Sequence, residues 1–159
     1  MRRLMEALRD ADAIREVNTR YHDVAAESYD SKWGIDFGDV GRGQVLGKLR
    51  KGLGDAPRFE RALEIGAGTG YFSLNLMQAG IVGEATCTDI SPGMVRTLSA
   101  NADRLGLPVR AARAEAESLP FADGSFDESD PTDIGLLGDT IVTNGISDAY
   151  LDVDRKSTR

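Results

Sequence analysis

Leu63-Glu64-Ile65-Gly66-Ala67-Gly68-Thr69-Gly70-Tyr71-Phe72 decides how the rest of this chain is read. An apolar strand end carrying one acid runs into three glycines at alternate positions, and a helix-like segment follows. Glycine at those positions lets the backbone turn sharply and lie against a ligand where a Cβ would collide. The amides that open the next helix then face that ligand in a partly positive field. The pattern is that of a nucleotide-type pocket at the carboxyl end of a first parallel strand.

The spacing narrows the choice of nucleotide. A dinucleotide fingerprint needs G-x-G-x-x-G, but Tyr71 occupies its last glycine position and the third glycine comes one residue early, at Gly70. Glu64 stands two residues before the first glycine, where a carboxylate repels a diphosphate and suits a ligand end bearing a cationic amine. A second element, Glu84-Ala85-Thr86-Cys87-Thr88-Asp89-Ile90, reads as a short strand ending in an acid, 25 residues after Glu64. Ser91-Pro92-Gly93-Met94 then opens a helix, with Ser91 as N-cap and Pro92 at the first helical position. Asp89 is placed to accept hydrogen bonds from both hydroxyls of a ribose. The plainer reading makes it a cap for the following helix, a role that Ser91 already fills. Val109-Arg110-Ala111-Ala112-Arg113 reads as a third strand.

An acid followed by G-x-G-x-G resembles motif I of the class I S-adenosylmethionine-dependent methyltransferases. That family also carries an acid after the second strand, in a run similar to Asp89-Ile90-Ser91-Pro92. Leu119-Pro120-Phe121-Ala122-Asp123-Gly124-Ser125-Phe126-Asp127 resembles the L-P-F-x-D-G-S-F-D run of the subgroup that includes the ubiquinone and menaquinone C-methyltransferases. The stretch from Tyr21 to Trp33 resembles the Y-D-x-x-A-x-x-Y-D leader of the same subgroup, so the resemblance covers about residues 20–127. It implies S-adenosyl-L-methionine as cofactor. Glu64, Gly66, Ala67, Gly68 and Gly70 would then lie at the methionine moiety and Asp89 at the ribose. Ile90, Met94, Glu115 and Ala116 would surround adenine. The subgroup has an Asp-Ala pair at the adenine amino group; Glu115-Ala116 is one methylene longer. Its leader helix folds over the cofactor and roofs the substrate pocket, which implies Tyr21 and Tyr29 there. The plain alternative makes Tyr21, Tyr29 and Trp33 ordinary packing aromatics.

The 159 residues suffice for one domain with a sizeable core. With no membrane-spanning run and no secretory signal, the expected location is cytoplasmic. Cys87 is the only cysteine and His22 the only histidine. A strand cysteine of this kind reads as a buried core thiol, and no metal-ligand spacing is present. The net charge of −7 argues against a nucleic-acid partner, whose phosphates need a basic face. Its distribution is uneven: residues 1–113 hold 16 basic and 15 acidic residues, whereas residues 114–154 hold 11 acidic residues and no Lys or Arg.

Upstream of the glycine turn, Leu4, Leu8, Ala11, Ile14 and Val17 recur as one face of a helix would. Further helices are expected over Gln44–Leu53, Tyr71–Gln78 and Pro92–Leu105, each stopped by glycine. The expected class is therefore α/β, a Rossmann-like doubly wound methyltransferase fold truncated after the third strand and preceded by N-terminal helices. Its parts would be a helical cap over 1–60, a cofactor-binding half over 61–127 and a non-matching acidic tail over 128–159. In the family, the fourth of seven strands lies beside the first. Here Asp127 is followed by Glu128-Ser129-Asp130-Pro131-Thr132-Asp133, too polar for a buried central strand, and Thr140-Ile141-Val142-Thr143 is short and late. The first strand is then expected to be an open apolar edge, with 128–159 poorly ordered. The ending Asp154-Arg155-Lys156-Ser157-Thr158-Arg159 is also what GAT CGG AAG AGC ACA CGT encodes, a string resembling sequencing-adapter read-through, which makes the tail read as an artefact. The expected function is methyl transfer to a small-molecule acceptor, with no obligate protein partner and no catalytic base readable. The alternatives are an inactive S-adenosylmethionine-binding module and a nucleotide-dependent oxidoreductase, which Tyr71 disfavours.

Overall fold

The first described element is the leader helix. In the computed structural model, which describes residues 11–55, 58–122, 125, 133–137 and 140–143, α1 runs over Ala11–Trp33 and α2 over Asp39–Leu53. The chain then alternates β1 (Phe59–Ile65), α3 (Tyr71–Gln78), β2 (Val82–Asp89), α4 (Pro92–Leu105) and β3 (Val109–Arg113). Glycines in the left-handed region end α2 and α4: Gly54 at φ 74° and Gly106 at φ 68°. Ser91 caps α4 through its hydroxyl, which accepts from Met94 N at 3.2 Å, and Pro92 takes the first turn. α3, α4 and β3 thus fall where punctuation and periodicity put them, whereas α2 begins at Asp39, five residues before the expected Gln44.

β1, β2 and β3 pair in parallel, with Leu63 opposite Thr86 and Thr86 opposite Arg110. One sheet face is closed. Ala62, Ala85 and Cys87 are buried there with Phe72, Leu76 and Leu98 of the crossover helices and with Val45 and Leu49 of α2. The opposite face carries Arg61, Glu84, Thr86, Arg110 and Ala112, which with Phe121 and Ser125 line an open cavity of about 770 Å³.

The expectation that the sheet stops at its third strand is corrected. β4 (Asp133–Leu137) pairs in parallel with β1, from Arg61 opposite Asp133 to Ile65 opposite Leu137. The sheet order is β3-β2-β1-β4-β5, so β1 is an interior strand and not an edge. The polar run 128–132 precedes the strand; the apolar residues Ile134, Leu136 and Leu137 come later than the family pattern predicts. β5 (Thr140–Thr143) is antiparallel to β4 and forms the outer edge. Only Gly138-Asp139 separates the two strands in sequence, a length that suits a hairpin. The expectations for Leu4, Leu8 and for residues 144–159 lie outside the described residues.

The leader also departs from its expected packing. Ile14 is 41% exposed and Val17 63%, so the apolar series they belong to is no packing face among the described residues. Among the described residues, no helix is long and apolar enough to cross a membrane.

Candidate cofactor site at the glycine turn

The turn between β1 and α3 bends through three glycines with positive φ: Gly66 at 71°, Gly68 at 55° and Gly70 at 92°. They serve two purposes. A Cβ built on Gly66 or Gly68 meets nothing within 4 Å, so both present bare backbone to open space. A Cβ on Gly70 would lie 2.8 Å from Leu74 Cδ1 and 3.1 Å from Leu98 Cγ, so the third glycine packs against the core. The turn is tied to β2 from below: Ala67 N donates to Thr88 O at 2.9 Å, and Gly68 N donates to Asp89 Oδ2 at 2.9 Å.

Asp89 bridges two backbone turns. Its Oδ1 accepts from Ser91 N at 2.9 Å while Oδ2 holds Gly68 N, and the side chain remains half-buried. Asp89 does not cap α4, a role that Ser91 fills; its carboxylate instead ties the glycine turn to the residue that opens α4. Glu64 is placed differently. At 2% exposure it lies beneath the turn, and its Oε2 accepts from Ser73 N at 3.2 Å and from the Ser73 hydroxyl. It anchors the start of α3 from inside the fold. Cys87 Sγ is 4.0 Å from the same oxygen. Burial, and then the Glu64 charge, push the Cys87 thiol far up from its ordinary value, with the Ser73 contact acting weakly the other way. It stays a neutral core group.

The residues expected around adenine separate into two sets. Ile90 and Glu115 line one cavity of about 420 Å³ with Arg15, Thr19, Arg20 and Asp23 of α1, so the leader covers that end of the sheet. Glu115 faces the leader: its Oε2 is 3.6 Å from Arg15 Nε, and Glu117 accepts from Arg15 Nη2 at 3.0 Å. Ala116 is exposed beside them, whereas Met94 is enclosed at 1% exposure. Tyr21 is 50% exposed, and Tyr29 is 6.3 Å from the Trp33 ring. Neither tyrosine lines the 420 Å³ cavity.

Sequence reasoning missed the carboxylates that hold the leader down. Asp23 Oδ1 accepts from Gly93 N and lies 3.5 Å from the Ser91 hydroxyl. A Cβ on Gly93 would strike Asp23 Oδ1 at 2.6 Å and Asp23 O at 2.9 Å, so glycine is what allows α1 and α4 to touch. Asp30 Oδ2 accepts from Asn101 Nδ2 at 2.9 Å, and the same amide donates to Thr69 O at 3.1 Å. One asparagine thus links the leader to the back of the glycine turn. The available signal was the Tyr29-Asp30 pair in the leader run, whose acid has no apolar explanation. Among the described residues no cluster of three metal-binding side chains occurs.

Residues 62–128 match the methyltransferase domain family, ending within one residue of the point where the sequence pattern breaks. The malonyl-acyl-carrier-protein O-methyltransferase of Methylococcus capsulatus is 34% identical over 116 residues, covering 64% of this chain and 41% of that enzyme. The demethylmenaquinone methyltransferase of Thermus thermophilus is 37% identical over 75 residues, covering 47% of this chain and 33% of that enzyme. The chain thus spans less than half the length of these curated relatives. A provisionally named S-adenosyl-L-methionine-dependent methyltransferase from Methanococcus maripaludis superposes with a TM-score of 0.51 at 16% identity, over 64% of this chain and 45% of that one. That likeness bears on the fold.

Proposed function

We propose, for a chain whose residues 62–128 match the methyltransferase domain family, that it belongs to the class I S-adenosylmethionine-dependent methyltransferases and holds this cofactor for methyl transfer to a small-molecule acceptor. The observation that carries the reading is the cradle at Gly66 and Gly68: positive φ, no protein atom where a Cβ would stand, and the Asp89 carboxylate beside it. The residues present fit the cofactor. Gly66–Gly70 would take the methionine moiety against bare backbone, and Asp89 would accept from the ribose hydroxyls with capacity left on each oxygen. Ile90, Ala116 and Glu115 would border adenine under the leader helix.

The cofactor supplies an electrophilic methyl group already activated on a sulfonium sulfur. The chain's own contribution is alignment and exclusion of water. Thr88 O and Asp89 hold the turn in its ligand-ready shape, Glu64 fixes the first turn of α3 from below, and α1 covers the site. Residues 1–60 act in this reading as the cap and 61–127 as the cofactor-holding unit.

Calorimetric titration with S-adenosylmethionine and with NADH tests the proposal. Saturable binding of the first and none of the second is the expected result. Gly68→Val should abolish the binding, because a β-branched residue resists φ 55° and its side chain fills the cradle. Retained binding in that variant, or preference for NADH, overturns the reading.

A further inference from the structure

A cavity of about 490 Å³ opens beside Tyr71, the first residue of α3. Its walls are Trp33, Gly34 and Ile35 at the end of the leader, Gly43, Gln44, Gly47, Lys48 and Lys51 of α2, and Tyr71. Tyr71 directly follows Gly70, so this cavity and the glycine turn share a wall. Tyr71 Oη donates to Gln44 Oε1 at 2.6 Å, which fixes the ring across the gap between α2 and α3.

The glycines of α2 are unequal. Gly41 is required by packing, since a Cβ there would lie 1.8 Å from Asp36 O. Gly43 and Gly47 meet nothing within 4 Å. A helical glycine costs roughly 1 kcal/mol relative to alanine, and among the described residues no contact explains these two. Both line the cavity.

Charge specifies the occupant. The chain as a whole carries −7, yet α2 holds Arg42, Lys48, Arg50 and Lys51 against the single acid Asp39. Among the described residues the cavity lining contains two lysines and no carboxylate. Lys48 Nζ also lies 5.3 Å from the Phe72 ring centroid, so Lys51 is the principal ammonium of the lining; with two aromatic rings and bare helix backbone it matches a flat molecule that ends in an anion.

We propose that this cavity seats the methyl acceptor, and that the acceptor is a flat, conjugated carboxylate or comparable organic anion. The inference rests on the methyl-transfer reading for its role, but not for the binding it predicts.

Trp33 is the only tryptophan of the chain and lines the cavity, so its fluorescence reports occupancy. The probes are 4-nitrobenzoate and its neutral counterpart 4-nitrobenzyl alcohol. Saturable quenching by the carboxylate, at least about tenfold tighter than by the alcohol and weakened by added salt, is expected at 1.4 kcal/mol per decade. Lys48→Met with Lys51→Met, and Lys51→Met alone, should bring the two probes toward parity. Gly47→Ala should keep or raise the melting temperature while weakening 4-nitrobenzoate, which a merely structural glycine would not do. Equal affinity for the two probes, or quenching that never saturates, overturns the proposal. S-adenosylmethionine titrated on the same samples separates the two claims. If it binds and 4-nitrobenzoate does not, the acceptor cavity is wrong; if only 4-nitrobenzoate binds, the anion site stands and the cofactor reading falls.

Discussion

The leader α1 and the short helix α3 flank the same turn and are held in opposite ways. α3 has eight residues, of which the six from Phe72 to Met77 are buried. α1 has 23 residues, yet among its described side chains only Ala26 is a buried apolar group, while Ile14, Val17, Tyr21 and Val24 stand at 41–80% exposure. Apolar burial at about 25 cal/mol per Å² fixes α3 to the sheet. The leader is fastened at points instead, by Asp23 on Gly93, Asp30 on Asn101 and Arg15 on Glu115 and Glu117. A helix attached by a few hydrogen bonds can lift without disturbing the core, whereas one attached by area cannot. The cofactor reading needs both properties, a rigid floor and a roof that opens.

The contrast is broken most directly at Leu76, which is fully buried in α3. Leu76→Ala should cost about 2–5 kcal/mol of unfolding free energy, the range for a large core deletion. Urea denaturation followed by far-UV circular dichroism measures it; a loss below about 1 kcal/mol would mean that α3 is no more firmly seated than the leader. Next in size is Asp89→Ala. The loss of two charge-assisted hydrogen bonds to ribose, each worth roughly 1.5–3 kcal/mol, should weaken S-adenosylmethionine at least about 100-fold. Calorimetry on Asp89→Ala and on Asp89→Asn is read beside thermal melts of both, because Asn keeps an acceptor for only one of the Gly68 and Ser91 amides and so disturbs the turn as well.

Smaller effects belong to the roof. Asp30→Ala removes one hydrogen bond to Asn101 and should lower stability by roughly 1 kcal/mol. The same change should speed proteolytic nicking within α1 while residues of α3 stay protected; equal protection of both helices would erase the distinction drawn here. Arg15→Ala is expected to be the mildest. Its partners are exposed, Glu115 at 44% and Glu117 at 83%, so each pair is worth only a few tenths of a kcal/mol and screens out in salt. A melting-temperature difference from the parent that vanishes at high ionic strength is the expected signature. One that persists would assign Arg15 a packing role.

Local rules made the cofactor half legible. The bounds of α3 and α4 follow from Gly70, Ser91, Pro92 and Gly106, because capping and the left-handed glycine conformation are settled by adjacent residues. β4 was not legible. Its apolar residues follow an acid-rich stretch, and the pairing that makes Asp133–Leu137 a strand is with β1, about seventy residues earlier in the chain. The Gly138-Asp139 pair between two apolar runs was the overlooked hairpin signal. The site was read less completely than the fold. Glu64 looked like a ligand contact because acids beside glycine turns face open clefts in such patterns, but its partner Ser73 lies nine residues away across a buried gap. The leader's grip was hidden for a related reason: carboxylates meeting backbone amides on another helix leave no periodic trace.

The Asp89 carboxylate has a consequence in stoichiometry. A carboxylate offers about four lone-pair positions, and backbone amides of Gly68 and Ser91 take one on each oxygen. What remains is one acceptor position per oxygen, a complement for two donors on neighbouring carbons. A vicinal diol satisfies both, and a 2′-deoxy sugar leaves one vacant. The two amides orient the group before any ligand arrives, so in the proposed cofactor reading the choice between ribose and deoxyribose would be made by counting donors, with no rearrangement of the protein.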